Sequence, residues 1–449
     1  MTAPVDAQKL QGALRALGEH VIACVRAFRA SGRLAIRRQQ YVVRPDFTLW
    51  YSVDPTVLNF EIGTAEEDVW DWKDLEAFLA NHIATHPAHA NVIQILQDSA
   101  GDVNLVRRFA SRVAYDAALN SGPELDQHIA AMLRDATGSP HKYHVRVWLT
   151  GITLSEGVVQ VSDSLSLRRP TREDLQERVR VEDVQSAHAG LPGRVFFSCI
   201  ADCEISARQP AECQRFVDRL ITTLRLFRLG SVSAARYDYR AESFSLFASA
   251  SFGGGQRAPR LAYTLSPDDR PRLLSALRVL MPLLPSIYDV PEAKPNFLST
   301  ALDWYSQSLL AGGPVEGTVA WAVACLEALF LGDNPGTELS YRLAHRVIAL
   351  LRCFGWAPLE IRNVLRAAYD VRSRHVHGAV PKKLSQEELG TLHRNLAEYA
   401  RASCLVWPQI LLDKRRNDLL ATLEESLIDD AARLRLQQWC NKVDFVRTP

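Results

Sequence analysis

The residues most able to do chemistry lie in a basic segment near the C-terminus, residues 358–383. Within it, Arg372 and His377 are separated by four residues, as R-x4-H. A histidine with a pKa near neutrality can take a proton from a ribose 2′-hydroxyl or give one to a leaving 5′-oxygen, while an arginine fork stabilises charge on a phosphorane. This pair can therefore cleave RNA, and the chemistry needs no metal ion.

Helix geometry limits how the pair can act. Five residues of an uninterrupted helix turn through about 140°, so the two side chains of one chain do not converge well on one phosphate. Either the helix ends at His377, where Gly378 follows, or a second chain supplies half of the site. The simpler alternative is a helix C-terminus whose cations complement the helix dipole, with Gly378 as the stop.

Further cations on the same segment predict a local site for a polyanion. An apolar stripe at helical spacing predicts a single helix that starts at Pro358. Arginines on its other faces, and two lysines after it, are expected to bind RNA: Arg362, Arg366, Arg374, Lys382 and Lys383. The whole chain has 52 Lys and Arg against 51 Asp and Glu, so no global field attracts nucleic acid.

Other signatures of chemistry are missing from the sequence. There is no GxxxxGK[ST], no GxGxxG after a strand, no GxSxG and no HExxH, so we expect no cofactor. His82, His86 and His89 have the spacing of one helical face, but Pro87 interrupts it, which favours a solvated helix end over a metal site. The eight cysteines form no CxxC pair, so we expect reduced thiols and no metal.

The elements that must position these residues fall into three regions. Residues 1–135 read as a mixed region, with a helix to about residue 30, short strands within 33–62 and helix from about residue 65. Residues 136–290 read as an α+β domain, and a proline-rich linker separates it from a helical region, residues 296–449. The fold class predicted is multidomain α+β, with a C-terminal all-α bundle. No run of ~18 apolar residues and no signal peptide is visible, so we expect a cytoplasmic protein with no membrane partner.

Three blocks of the C-terminal region carry a resemblance. The first is an apolar helix with the lone acid Glu327 in a Leu-Glu-Ala-Leu setting, and the second reads Glu338-Leu-Ser-Tyr-Arg-Leu. The third, from Tyr369 to Gly378, reads Tyr-x-x-Arg-Ser-x-x-x-His-Gly. Their order and spacing resemble the ApeA-like branch of the HEPN ribonuclease superfamily over about residues 296 to 440.

The resemblance implies an all-helical HEPN bundle, a homodimer that pairs the two R-x4-H helices, and metal-independent RNA cleavage that leaves a cyclic phosphate. Arg372 and His377 would be catalytic, and Ser373 would fill the polar position beside the arginine. His375 is a second imidazole one turn from Arg372, so two histidines are candidates for the working base. Tyr369 belongs to the same block. Glu327 would either orient Arg372 from a buried position or lie at a helix edge in solvent or in an inter-domain salt bridge.

These expectations lead to three hypotheses. The first is a regulated RNA endonuclease of antiviral defence or abortive infection, acting on RNA, tRNA among it, with residues 1–290 sensing a phage-derived or protein trigger. The second is a non-catalytic HEPN module that binds RNA or nucleotide or only dimerises. The third is the toxin half of a toxin–antitoxin pair.

Overall fold

A computed structural model describes most of the chain. The described residues are 5–34, 36–42, 50–51, 58–59, 64–70, 72–99, 103–119, 124–137, 140–171, 174, 194–195, 198–207, 210–241, 249–252, 260–286, 289, 296–331, 339–376 and 384–446. Among them, none of the helices combines the length and apolarity needed to cross a bilayer.

The N-terminal region is a small helical unit with its own apolar core. Its helices are α1 Ala7–Ala30, α2 Trp72–Phe78, α3 Pro87–Asp98, α4 Asn104–Leu119 and α5 Leu125–Thr137. Helix α1 begins where Asp6 accepts hydrogen bonds from the Gln8 and Lys9 amides, and Gly32 follows its end with φ +70°, a conformation that glycine adopts at little cost. The predicted first helix is confirmed.

Short strands lie between α1 and α2, as predicted. They are β1 Ile36–Val42, β2 Trp50–Tyr51 and β3 Leu58–Asn59, followed by β4 Thr64–Trp70. The prediction of helix from about residue 65 is wrong for β4, because this segment pairs antiparallel with β1 along its whole length. Its sequence TAEEDVW has no alternating pattern, so a partner about 28 residues away, not local propensity, defines the strand.

The predicted break at His86–Pro87 is present. A five-residue π-helix, Leu79–Ile83, follows α2, and α3 begins only at Pro87. His86 accepts a hydrogen bond from the Ala88 amide at the start of α3. The imidazoles of His82, His86 and His89 therefore do not share one regular helix.

A six-stranded antiparallel sheet fills the middle of the chain, in the order β12-β11-β5-β10-β8-β7. The strands of this region are β5 His141–Thr150, β6 Ile152–Leu154, β7 Val158–Ser162, β8 Leu165–Arg168, β9 Arg194–Val195, β10 Cys199–Ala207, β11 Ser233–Ala241, β12 Ser249–Phe252 and β13 Tyr263–Leu265. Alternate residues of β5, among them Val145 and Val147, enter the apolar core. The other face is charged, with Arg146 and Arg168 bonded to Asp202.

Helices cover the apolar face of the sheet and form the C-terminal region. They are α6 Pro210–Phe227, α7 Arg270–Leu280, α8 Phe297–Leu310, α9 Val315–Phe330, α10 Leu339–Leu351, α11 Pro358–Val376, α12 Gln386–Ile410, α13 Arg416–Glu425 and α14 Asp430–Cys440. Helices and their connecting segments make up the part described after residue 296, with no strand among these residues. The α+β class and the helical C-terminal region are therefore as predicted.

One apolar core runs from Tyr143 in the sheet to Val446 beyond α14, so the sheet and the C-terminal helices are packed together. Arg401 of α12 is fully buried and donates to the carbonyls of Leu226 and Val446, while its guanidinium also pairs with Glu398. Such a buried cation is tolerated because its donors are bonded. The contact ties α6 and the C-terminal segment to the helix that lies at the centre of the bundle.

Candidate functional site

Helix α11 carries the basic segment, and its local sequence explains its limits. Gly355 turns the chain before it with φ +82°, and Pro358 is the first helical residue, where a missing N–H costs nothing. Ile361, Leu365 and Val371 are buried in the bundle, as the apolar stripe predicts. The described helix ends at Val376, directly before His377.

Glu327 of α9 organises the site. Its side chain is only 20% exposed, and its two oxygens have different partners. The Nη2 atom of Arg372 donates to Oε2 at 2.9 Å, and the hydroxyl of Tyr369 donates to Oε1 at 2.7 Å. A shielded carboxylate is stabilised by this combination of a cation and a neutral donor. Of the two placements considered for Glu327, the structure therefore has the one beside Arg372.

Arg372 is held at one end of its guanidinium and open at the other. Its side chain is 34% exposed, and within the described residues only Nη2 has an acceptor. The Cζ atom also lies 5.9 Å from the centroid of the Tyr369 ring, within the range of a cation–π contact. The remaining donors are free to bind an anion such as a phosphate.

Tyr369 acts as a permanent donor to Glu327. Burial, and then the nearby Glu327 carboxylate with its hydrogen bond, raise the pKa of the Tyr369 hydroxyl well above its usual range. The phenol therefore stays protonated at any physiological pH. It occupies one carboxylate oxygen and leaves the other for Arg372.

His375 is the imidazole that the structure places near Arg372. It is exposed and lies three residues further along α11, about 60° round the helix from Arg372. A Cβ built on Gly317 of α9 would lie 3.6 Å from His375 Nε2, so the ring lies against the first turn of α9. His377, Lys382, Lys383 and Glu338 lie outside the described residues.

The other predicted RNA-binding arginines occupy different faces of α11. Arg362 and Arg366 are exposed, and neither has a carboxylate partner in the part of the chain that is described. Arg374 pairs with Asp370 at 3.0 Å, which offsets its charge, and it points about 160° away from Arg372. Ser373 is exposed and about 100° from Arg372. The arginines of one helix thus do not line a single face.

Sequence reasoning missed several residues around this site. Trp321 of α9 stacks on Trp304 of α8, and Tyr341 lies against His345, whose pKa is lowered by burial and by Arg362. The spacing of Trp321 could have drawn attention to it, because it lies one helical turn after Gly317 and therefore near the same side of the helix. The periodicity of each helix did not indicate that α9 and α11 would be neighbours; only the suggested pairing of Glu327 with Arg372 implied it.

The comparisons with known proteins gave no match: no family model, no curated protein and no solved structure is similar to this chain. Within the described residues, no group of three or more histidine, cysteine, aspartate or glutamate side chains is arranged to hold a metal ion. What the site can do follows from its own described groups: an oriented guanidinium with open donors, and the His375 imidazole near the end of the same helix.

Proposed function

We propose that this protein is an HEPN-type endoribonuclease that cleaves RNA without a metal ion. The observation that supports the proposal best is the state of Arg372. Its guanidinium is fixed by Glu327 and lies over Tyr369, yet it keeps open donors near the end of α11 that carries His375 and that His377 follows in the sequence. A cation fixed in this way can stabilise a phosphorane without reorganising during the reaction.

The reaction is an attack of the ribose 2′-oxygen on the adjacent phosphorus. His377 accepts the 2′-hydroxyl proton, with His375 as the other candidate base, while the new O–P bond forms. The P–O5′ bond breaks and the 5′-oxygen takes up a proton from an imidazolium. The products are a 2′,3′-cyclic phosphate and a 5′-hydroxyl. Arg372 binds the non-bridging oxygens throughout, and Ser373 is the polar residue that follows it in the sequence.

The proposal extends to assembly and biological setting. Two chains pair through residues 296–440 so that the Arg372 of one and the His377 of the other serve one phosphate. An active ribonuclease is harmful to its own cell, so residues 1–290 restrain it until a phage-derived or protein trigger binds. The protein then acts in the cytoplasm as an effector of antiviral defence on cellular RNA, tRNA among it.

Incubation of the purified protein with total RNA and with tRNA in EDTA tests the proposal. Wild type should cleave, and His377→Ala and Arg372→Ala should not. His144→Ala is the matched control, because this exposed imidazole lies on the sheet, away from α11. Cleavage that stops in EDTA and returns with one divalent ion would contradict the mechanism, as would equal cleavage by all variants.

A further inference from the structure

A large aromatic side chain is exposed on α9, the helix whose Glu327 binds Arg372. Trp321 of α9 stacks on Trp304 of α8, with ring centroids 4.7 Å apart and planes inclined by 7°. One face of the Trp321 indole is therefore covered, yet the residue remains 36% exposed. The accessible surface belongs to the other face and the edge of the ring. The exposed ring offers an aromatic surface on which a second flat group can stack.

The contacts of α9 with α11 bracket the position of this indole along the helix. His375 lies against Gly317, and Arg372 is bonded to Glu327, so α11 touches α9 at two levels. Trp321 lies between those levels, about 6 Å along the helix from Gly317 and about 9 Å from Glu327. It is turned about 40° from Gly317, towards α8, and about 120° from Glu327.

Only small side chains of α9 lie between Trp321 and Glu327. Around the axis of α9, Ala320 and Ala324 lie between Trp321 and Glu327. Both alanines are partly buried. No bulky side chain of α9 therefore separates the indole from Arg372. A flat group bound to the indole can be joined covalently to an anion bound at Arg372.

We propose that Trp321 is a stacking platform for an unpaired nucleobase whose own or neighbouring phosphate binds Arg372. This inference rests on the proposed ribonuclease function and names its substrate class as single-stranded RNA, including loops and ends. Bases stack on aromatic rings with little regard to sequence. In an A-form duplex the bases are stacked on one another and closed to such a platform. The open donors of Arg372 favour an anionic nucleotide over an uncharged apolar partner.

Binding of an uncleavable oligonucleotide tests the platform. The probe is a labelled 12-nucleotide 2′-O-methyl RNA, single-stranded or annealed to its complement. Trp321→Met keeps an apolar side chain over Trp304 but removes the ring, and it should weaken single-strand binding about 5- to 100-fold. Trp321→Phe should retain most of the affinity. Duplex binding should be the same for all three proteins.

The control and the outcomes separate this inference from the nuclease proposal. Trp439→Met removes a partly exposed indole that lies over Lys414, and it should change nothing. If Trp321→Met binds the single strand as tightly as wild type, the platform is overturned and the indole has a structural role. If this variant also loses its dimer in sedimentation, the indole instead contacts a second copy of the chain. Binding that depends on Trp321 in a protein that cleaves no RNA supports the platform and overturns the nuclease.

Discussion

At the scale of residues, the site depends on one carboxylate that serves two donors. Glu327→Gln should leave the bundle folded but lower the RNA cleavage rate about 10- to 100-fold, because a neutral amide no longer holds the Arg372 guanidinium. Single-turnover cleavage rates, with thermal unfolding as the fold control, measure this. Glu424→Gln is the matched variant, since Glu424 pairs with Arg346 elsewhere in the bundle. Equal loss in both variants would contradict a positioning role for Glu327.

The protonation of Tyr369 gives a second residue-scale prediction. Its pKa is raised in the folded protein, so its contribution to stability is present below the unfolded pKa of about 10 and is lost as the pH rises above that value. Tyr369→Phe should therefore be less stable than wild type at pH 8, and the difference should narrow towards pH 11. Urea unfolding at several pH values measures it. A difference that is constant with pH would show that the hydroxyl does not titrate in this way.

Substitution of the proposed catalytic residues should change the cleavage rate most. Arg372→Ala and His377→Ala should each lower the cleavage rate by about two to four orders of magnitude, and Arg372→Lys should fail too, because an ammonium lacks the planar fork. His375→Ala should keep most of the activity. Cleavage assays in EDTA report all four. If His375→Ala is inactive while His377→Ala cleaves, His375, which lies against Gly317, is the working base.

At the scale of elements, periodic segments were predictable and contacts between segments were not. The buried stripes of α1 and α11 follow directly from their sequences, and so do the alternating residues of β5. Strand β4 and helix α7 were missed, the first because its pairing with β1 defines it. The bond between Glu327 and Arg372 joins residues 45 positions apart on two helices. Periodicity identifies the buried side of each helix, but it does not identify which other helix packs against that side.

The junction between α8 and α12 gives an element-scale prediction. His393 of α12 is buried, and its Nε2 lies 2.8 Å from the Ser308 carbonyl of α8. Burial lowers the pKa of His393, so its contribution to stability is present above the unfolded pKa of about 6.5 and is lost as the pH falls below it. His393→Asn should be less stable at pH 7.5 and should lose less stability between pH 7 and pH 5. Denaturant unfolding at both pH values tests this, and an unchanged pH dependence would contradict it.

At the scale of the whole molecule, the sheet and the helical bundle cannot be treated as separate bodies. They share one apolar core, and Tyr305 of α8 donates to the Arg225 carbonyl of α6. The proline-rich linker in the sequence suggested a sharper division. Composition can identify a linker, but it does not show whether the two regions on either side of it pack against each other. A trigger that moves α6 would act directly on the helices that carry Trp304 and Arg401.

Assembly is tested by mixing two inactive chains. Arg372 contacts Glu327 of its own chain. In the proposed dimer, each composite site takes its arginine from one chain and its histidine from the other. Co-expressed Arg372→Ala and His377→Ala chains, purified by two tags, should then regain one functional site per heterodimer, about half of the wild-type activity on the two-site symmetry of a dimer. Restored cleavage in EDTA measures this. A mixture of two Arg372→Ala chains carrying the same tags controls for contamination. No return of activity in a verified heterodimer would mean that each chain supplies a complete pair, and a monomer in light scattering would remove the shared site altogether.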